Sequence, residues 1–271
     1  VPPNHRLAKK SHTARTASIS STREPRIFAA DFSLTNNDFQ SAALCEQSCF
    51  AATYSFSTVP FFTLDEPRSV TLSYNGDRAM PRPFVFALVQ PNFGDSEIAE
   101  YWLHVSVNGV TRTFVNGDTT IVYTGGPDQL RLAGQFDARD LATGVYPMTI
   151  KVTAKYADGI TRERSSTTEL MIVNDAASDI AKGWTIAGLQ HLYFPSVGGY
   201  MITEGDGTAV RFTAQGVKAL DFTKLTFDGT TYVRTYPDGT VVHFDTSGRM
   251  KSVVEVSGLA TNYQYDESGR I

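Results

Sequence analysis

The stretches "HFDTSGRM" at 243–250 and "YQYDESGRI" at 263–271 write one pattern twice: aromatic-Asp-x-x-Gly-Arg-aliphatic. Phe244, Asp245, Gly248 and Arg249 align with Tyr265, Asp266, Gly269 and Arg270 at one offset, 21 residues (265 against 244). A fixed offset of this size signals a repeat architecture, in which each copy is a unit that cannot bury its apolar face alone. Within a copy, Asp at the first position of a type I turn caps the backbone and Gly takes the last position. The aromatic then lies on the inward side of a strand and Arg begins the returning one, so each copy reads as a hairpin.

Working back from the repeats, turn signals fall at Gly198-Gly199, Gly205-Asp206-Gly207, Asp228-Gly229, Asp238-Gly239 and Ser257-Gly258, separating short runs such as "AVRF" and "TVVHF". Asp-Gly supplies the positive φ of a two-residue I′ turn. Residues 191–271 therefore read as an antiparallel β-hairpin meander.

Further upstream, 28–174 shows period two. "VTLSY" puts Val70, Leu72 and Tyr74 on one face before Asn75-Gly76, a hairpin dipeptide. "LHVSV" does the same with Leu103, Val105 and Val107 before Asn108-Gly109. In "MTIKVTAKY", Met148, Ile150, Val152, Ala154 and Tyr156 alternate with polar residues up to Asp158-Gly159. Such strands, with no sustained helical period, predict a two-sheet β-sandwich over 28–174. "LATGVYP" at 141–147 resembles the Leu-x-x-Gly-x-Tyr stretch of immunoglobulin-like and fibronectin-type domains. That likeness implies a structural bond from the Tyr146 hydroxyl to backbone across a corner. Residues 175–190 read as a linker, with Trp184 and Leu189 as apolar anchors and Trp184 plugging a seam.

Composition supports a folded chain: 41% of the 271 residues are hydrophobic and 11% aromatic. Residues 1–26 hold six cations against Glu24, a net +5, which leaves −9 for the rest of a chain of net charge −4. An acidic body argues against nucleic acid as a partner, and 1–27 reads as a disordered basic Ser/Thr-rich tail or linker. No apolar run approaches the ~20 residues of a membrane span. With neither an initial Met nor a signal-peptide stretch, the sequence is expected to be a piece of a longer polypeptide.

Cys45 and Cys49 have too few partners for a zinc site. The leading reading is a local disulfide in an oxidising, extracytoplasmic compartment, against two buried free thiols; a redox pair fits the spacing least. Most carboxylates sit at turns. No nucleophile–base constellation, cofactor loop or Gly-x-Ser-x-Gly elbow is visible, so neither catalysis nor a cofactor is expected. "EGDGT" at 204–208 reads as a turn rather than a calcium loop. Tyr101, Trp102, Tyr232 and Tyr236 are candidates for an outward face that binds a glycan or cell-surface receptor, as in an adhesin.

Tyr-Asp-x-x-Gly-Arg recurring near this period resembles the YD repeats of the Rhs family, teneurins and toxin-complex cocoon proteins. "YQYDESGRI" matches well, and "HFDTSGRM" departs by Phe for Tyr and Met for Leu or Ile. "GWTIAGLQHLY", "GDGTAVRF" and "YPDGTVVHFD" are similar to the lead-in of bacterial Rhs-type repeats. "CEQSCFAATYSFSTVPFFTLDEPRSVTLSY" is similar to the β-rich region upstream of the shell. The resemblance implies a structural role: many repeats spiral into a hollow β-shell around a C-terminal cargo, often a toxin. This sequence holds two motif copies and lacks the family's C-terminal core and self-cleaving aspartate, so it is expected to be the truncated opening of such a shell. Its partners would be the later repeats and cargo of the same polypeptide, secreted or at the cell surface. The strand ending at Ile271 would be an unpaired edge.

Overall fold

Strict alternation of apolar and polar side chains closes the larger of two cores. The computed structural model describes residues 70–271 apart from 92–96, 126–129, 179 and 268, and five strands before them. Those five are β1 (Phe28–Ala30), β2 (Phe39–Glu46), β3 (Thr53–Ser57), β4 (Phe61–Thr63) and β5 (Glu66–Arg68). Then come β6 (Thr71–Asn75), the short helix α1 (Gly76–Ala79), β7 (Phe84–Pro91), β8 (Ile98–Val107), β9 (Val110–Thr111), β10 (Ile121–Thr124), β11 (Leu130–Gln135), β12 (Gly144–Tyr156) and β13 (Thr161–Ile172). The chain continues through β14 (Trp184–Ile186), β15 (Gln190–Tyr193), β16 (Tyr200–Glu204), β17 (Ala209–Phe212), β18 (Lys224–Phe227), β19 (Tyr232–Thr235), β20 (Val241–Phe244), β21 (Met250–Val254) and β22 (Ala260–Asn262). The fold is all-β.

Sheets β1-β2-β7-β11 and β10-β8-β12-β13, the latter with β9 on β8, pack face to face as a sandwich. Met148, Ile150, Val152, Ala154 and Tyr156 all point into the core, where they meet Leu103, Val105 and Val107 of the neighbouring β8 and Val85, Ala87 and Val89 of the opposite sheet. The Tyr146 hydroxyl donates to the Ala142 carbonyl at 2.8 Å, the corner bond that "LATGVYP" predicts.

"VTLSY" is a strand, but in neither of these sheets. β6 lies between β3 and β14 in a separate three-stranded sheet. Asn75-Gly76 makes no hairpin: Asn75 caps α1, its side-chain oxygen accepting from the backbone N–H of Asp77 (3.0 Å) and Arg78 (3.3 Å). Asn serves both turn types, and the helix-compatible Asp-Arg-Ala that follows decides between them. Residues 175–190 are more than a linker, since Trp184–Ile186 pairs with Leu72–Tyr74 and the Trp184 ring lies 5.5 Å from that of Tyr74.

The meander comprises sheets β15-β16-β17 and β18-β19-β20-β21-β22 around a second core. One turn recurs through it. The fourth residue's N–H donates to the first residue's carbonyl and the first residue's N–H to the fifth's carbonyl, at Glu204–Thr208, Tyr236–Thr240, Asp245–Arg249, Glu255–Leu259 and Asp266–Arg270. The fourth residue is glycine at φ +82 to +97 in each. This is a type I turn closed by a left-handed residue, not the two-residue I′ turn expected at Asp238-Gly239. Asp238 has the negative φ usual for a residue with a side chain, and its carboxylate accepts the Thr240 N–H at 2.9 Å. The I′ form does occur at Asn108-Gly109, where both φ values are positive (52° and 75°).

Gly248 carries a second constraint. A Cβ there would lie 1.9 Å from the Leu192 carbonyl oxygen, because Leu192 N–H donates to the Gly248 carbonyl (2.8 Å) and so joins β15 to the first motif copy. Gly258 has the same φ class in open space. Gly258→Ala should therefore cost only the left-handed strain of about 1–2 kcal/mol. Gly248→Ala should reach the exceptional class above about 4 kcal/mol, a contrast that chemical denaturation of the two variants will read.

Candidate functional site

The two motif copies occupy equivalent turns but differ in what their arginines do. Phe244 is fully buried in the meander core, and Asp245 Oδ1 accepts the N–H groups of Ser247 and Arg249, both at 2.9 Å. Burial works against the Asp245 carboxylate, yet these bonds and the Ser247 hydroxyl outweigh it and hold its pKa below the ordinary aspartate value. In the second copy, Asp266 Oδ1 accepts the Arg270 N–H at 2.9 Å and Arg270 folds back on the same carboxylate. Arg249 instead reaches across copies: its guanidinium lies 5.5 Å from the Tyr265 ring centre. The Tyr265 hydroxyl donates to the Met250 carbonyl at 2.9 Å. Gly269 leaves room for this, since a Cβ there would come within 2.6 Å of Arg249 Nη2.

The four aromatics do not form one face. Tyr101 is 0% exposed, in the sandwich core, because it is in phase with Leu103 and Val105; burial pushes its hydroxyl pKa up to about 12. This corrects its reading as an outward residue. Trp102, one position on, is on the opposite face, where its indole N–H donates to Glu100 (2.9 Å) and Lys155 lies over its ring. Tyr232 packs among Phe194, Tyr200 and Phe227. Tyr236 receives the Gln190 amide on its hydroxyl (2.7 Å) and Arg234 over its ring. Cys45 sits on β2; Cys49 and the basic tail 1–27 lie outside the described residues, and with Cys49 the proposed disulfide.

A buried polar site centred on Arg234 is one the sequence did not signal. Arg234 is 0% exposed, and its guanidinium donates to Gln190 Oε1 (2.8 Å), Glu204 Oε1 (2.7 Å), Asp221 Oδ2 (2.7 Å) and Thr223 Oγ1 (3.2 Å). Burial opposes ionisation of Asp221, but the bonds from Thr223 and Arg234 together hold its pKa below the ordinary value. A second buried arginine, Arg78, donates to the Glu204 carbonyl (2.9 Å) and forms an ion pair with Asp175. Burial drives the Asp175 pKa up, and Arg78 offsets only part of this. Arg211 of β17 pairs with Glu169 of β13 (2.9 Å), so meander and sandwich are also joined directly.

The fold and these contacts define an all-β protein: a sandwich followed by a hairpin meander, clamped by buried arginines. No helix among the described residues is long and apolar enough to cross a membrane. No family model matches the chain, and no curated protein matches it. Among solved structures it is similar to the major pilin subunit of Bacillus cereus, with 10% identity, a TM-score of 0.23 and coverage of 82% of this chain. The chain spans 64% of that pilin's length, and a likeness this low carries neither fold nor function.

Two outcomes follow from the buried charges. Arg234→Met strands the Glu204 and Asp221 carboxylates and should cost about 3–5 kcal/mol, whereas adding Glu204→Gln and Asp221→Asn should restore most of it in the same denaturation assay. His191 has its pKa lowered, first by burial and then by Arg249, with Asp245 opposing. Its contribution is complete above about pH 6.5 and is lost as pH falls, because the unfolded chain takes up a proton that the folded one resists. His104, lowered by burial and Lys151, acts in the same direction in the sandwich. Melting temperature should therefore drop between pH 7 and 5, with a shallower slope in His191→Gln.

Proposed function

We propose that this chain is a non-catalytic structural piece of a large secreted or cell-surface YD-repeat protein of Rhs type. In this reading the sandwich caps or anchors a β-shell that residues 191–271 begin, and the completed shell encloses a C-terminal cargo such as a toxin. The observation that carries it is the contact between copies. Arg249 of the first stacks on Tyr265 of the second, over the space that Gly269 leaves open. Arg249 of one copy thus meets Tyr265 and Gly269 of the next, a nearest-neighbour coupling of the kind on which a stacked repeat depends. Asp245 and Asp266 are engaged in holding their own turns, which fits a structural role for the motif.

Limited proteolysis of the native polypeptide tests enclosure. A C-terminal segment should resist trypsin while the shell is intact and become cleavable with Gly248→Ala, which pries the first copy from β15. Digestion of that segment from the outset overturns enclosure. Stacking is tested separately: a third motif copy appended after Ile271 should raise the melting temperature and slow hydrogen exchange in β21 and β22, and no change in either overturns it.

A further inference from the structure

Phe222 stands where the other turns of its kind place glycine. Phe222 N–H donates to the Ala219 carbonyl and Ala219 N–H to the Thr223 carbonyl, both at 2.9 Å, the hydrogen-bond pair described above for Glu204–Thr208 and Tyr236–Thr240. Asp221 also plays the part of Asp206 and Asp238, accepting the N–H of the residue two positions on (3.1 Å). Yet the left-handed position, at φ +65, holds a phenylalanine. A side chain there costs about 1–2 kcal/mol relative to glycine. Burial returns little of that, since Phe222 is 69% exposed and its neighbour Leu220 72%.

The strain persists because the turn is held from beneath. Asp221 binds the Thr223 hydroxyl (2.8 Å) and the fully buried Arg234 (2.7 Å), and Arg234 also donates to that hydroxyl. A buried ionic network thus displays a strained aromatic to water, a combination found where strain serves ligand binding. Phe222 forms one wall of a groove of about 650 Å³ that Lys218, Lys224, Thr226, Thr235 and Tyr236 also line. The volume falls in the ~300–1,000 Å³ range of small-ligand sites. Lys218 and Lys224 face each other in a β-bridge, and neither ammonium has an ion-pair partner among the described residues. No carboxylate lines the groove, although the chain as a whole is acidic.

We propose that this groove binds an acidic oligosaccharide. The Phe222 ring takes the C–H face of a sugar by dispersion, Thr226 and Thr235 meet its hydroxyls, and Lys218 and Lys224 take its carboxylate or sulfate. The exposed Thr235 hydroxyl beside the lysines favours such a ligand over a lipid surface, which would need only the apolar tip and the lysines. The site is independent of the shell reading and stands or falls without it.

Calorimetric titration with a heparin hexasaccharide, a galacturonate hexamer and neutral cellohexaose tests the proposal, with phosphatidylserine vesicles as a fourth arm. At least one acidic oligosaccharide should bind, and cellohexaose about tenfold more weakly or worse. Phe222→Gly should weaken binding about tenfold or more while raising the melting temperature, because glycine adopts this φ without strain. Lys218→Ala with Lys224→Ala should weaken it about as much, with the melting temperature unchanged. The proposal is overturned if neither acidic oligosaccharide binds, if cellohexaose binds equally, if only vesicles bind, or if Phe222→Gly lowers the melting temperature.

Discussion

Glu204 is the residue on which two buried arginines converge. Its carbonyl accepts from Arg78 and its carboxylate from Arg234, so one residue at the end of β16 ties the α1 seam to the interior of the meander. Neither guanidinium has water to fall back on, and each is satisfied only when strands from distant parts of the chain are in register. Buried ion pairs seldom add much net stability, because desolvation offsets their attraction. Their effect here is selective: a slipped hairpin would leave a charge unpaired in the core. Asp175, on the far side of Arg78, shows the tension directly, since its carboxyl is held above the ordinary pKa even beside a cation.

Around that node one turn device recurs through the meander, and aspartate enters it in two ways. In Asp-x-x-Gly the aspartate is the first residue of the turn and caps the N–H groups two and four positions on; in x-x-Asp-Gly it is the third and caps the fifth. Both spellings deliver the chain to a left-handed fourth residue. The motif repeats at 21 residues and the Asp-Gly turns upstream of them are therefore variants of one element, which is why the meander keeps its form where the motif itself is missing.

What the sequence disclosed was periodic or local. The alternation in "MTIKVTAKY" placed five side chains in the core, and "LATGVYP" fixed the corner tyrosine. Turn positions were legible because Asp and Gly act within five residues. Alternation could not say which sheet "VTLSY" would join, since that depends on Trp184–Ile186 more than 100 positions later. Tyr101 and Trp102 were grouped as neighbours when a strand sends them to opposite faces. Arg234 was invisible for a similar reason: its partners lie 11 to 44 positions away, and no local rule marks an arginine as buried. Phe222 was missed because its turn lacks glycine, the very property that sets it apart.

The small sheet β3-β6-β14 has a mechanical consequence. β6 precedes β7 and β14 follows β13, and the two pair directly, with Asn75 N–H on the Gly183 carbonyl (2.9 Å) and Asp175 N–H on the Arg78 carbonyl (2.8 Å) closing the loop. Seven strands of the sandwich, β7 to β13, thus leave and return at one clasp. Tension passing along the chain from residue 70 to residue 190 runs through that clasp and bypasses those strands. Three residue pairs and one buried arginine form the fuse, and the sandwich strands behind it come under load only after the fuse has parted.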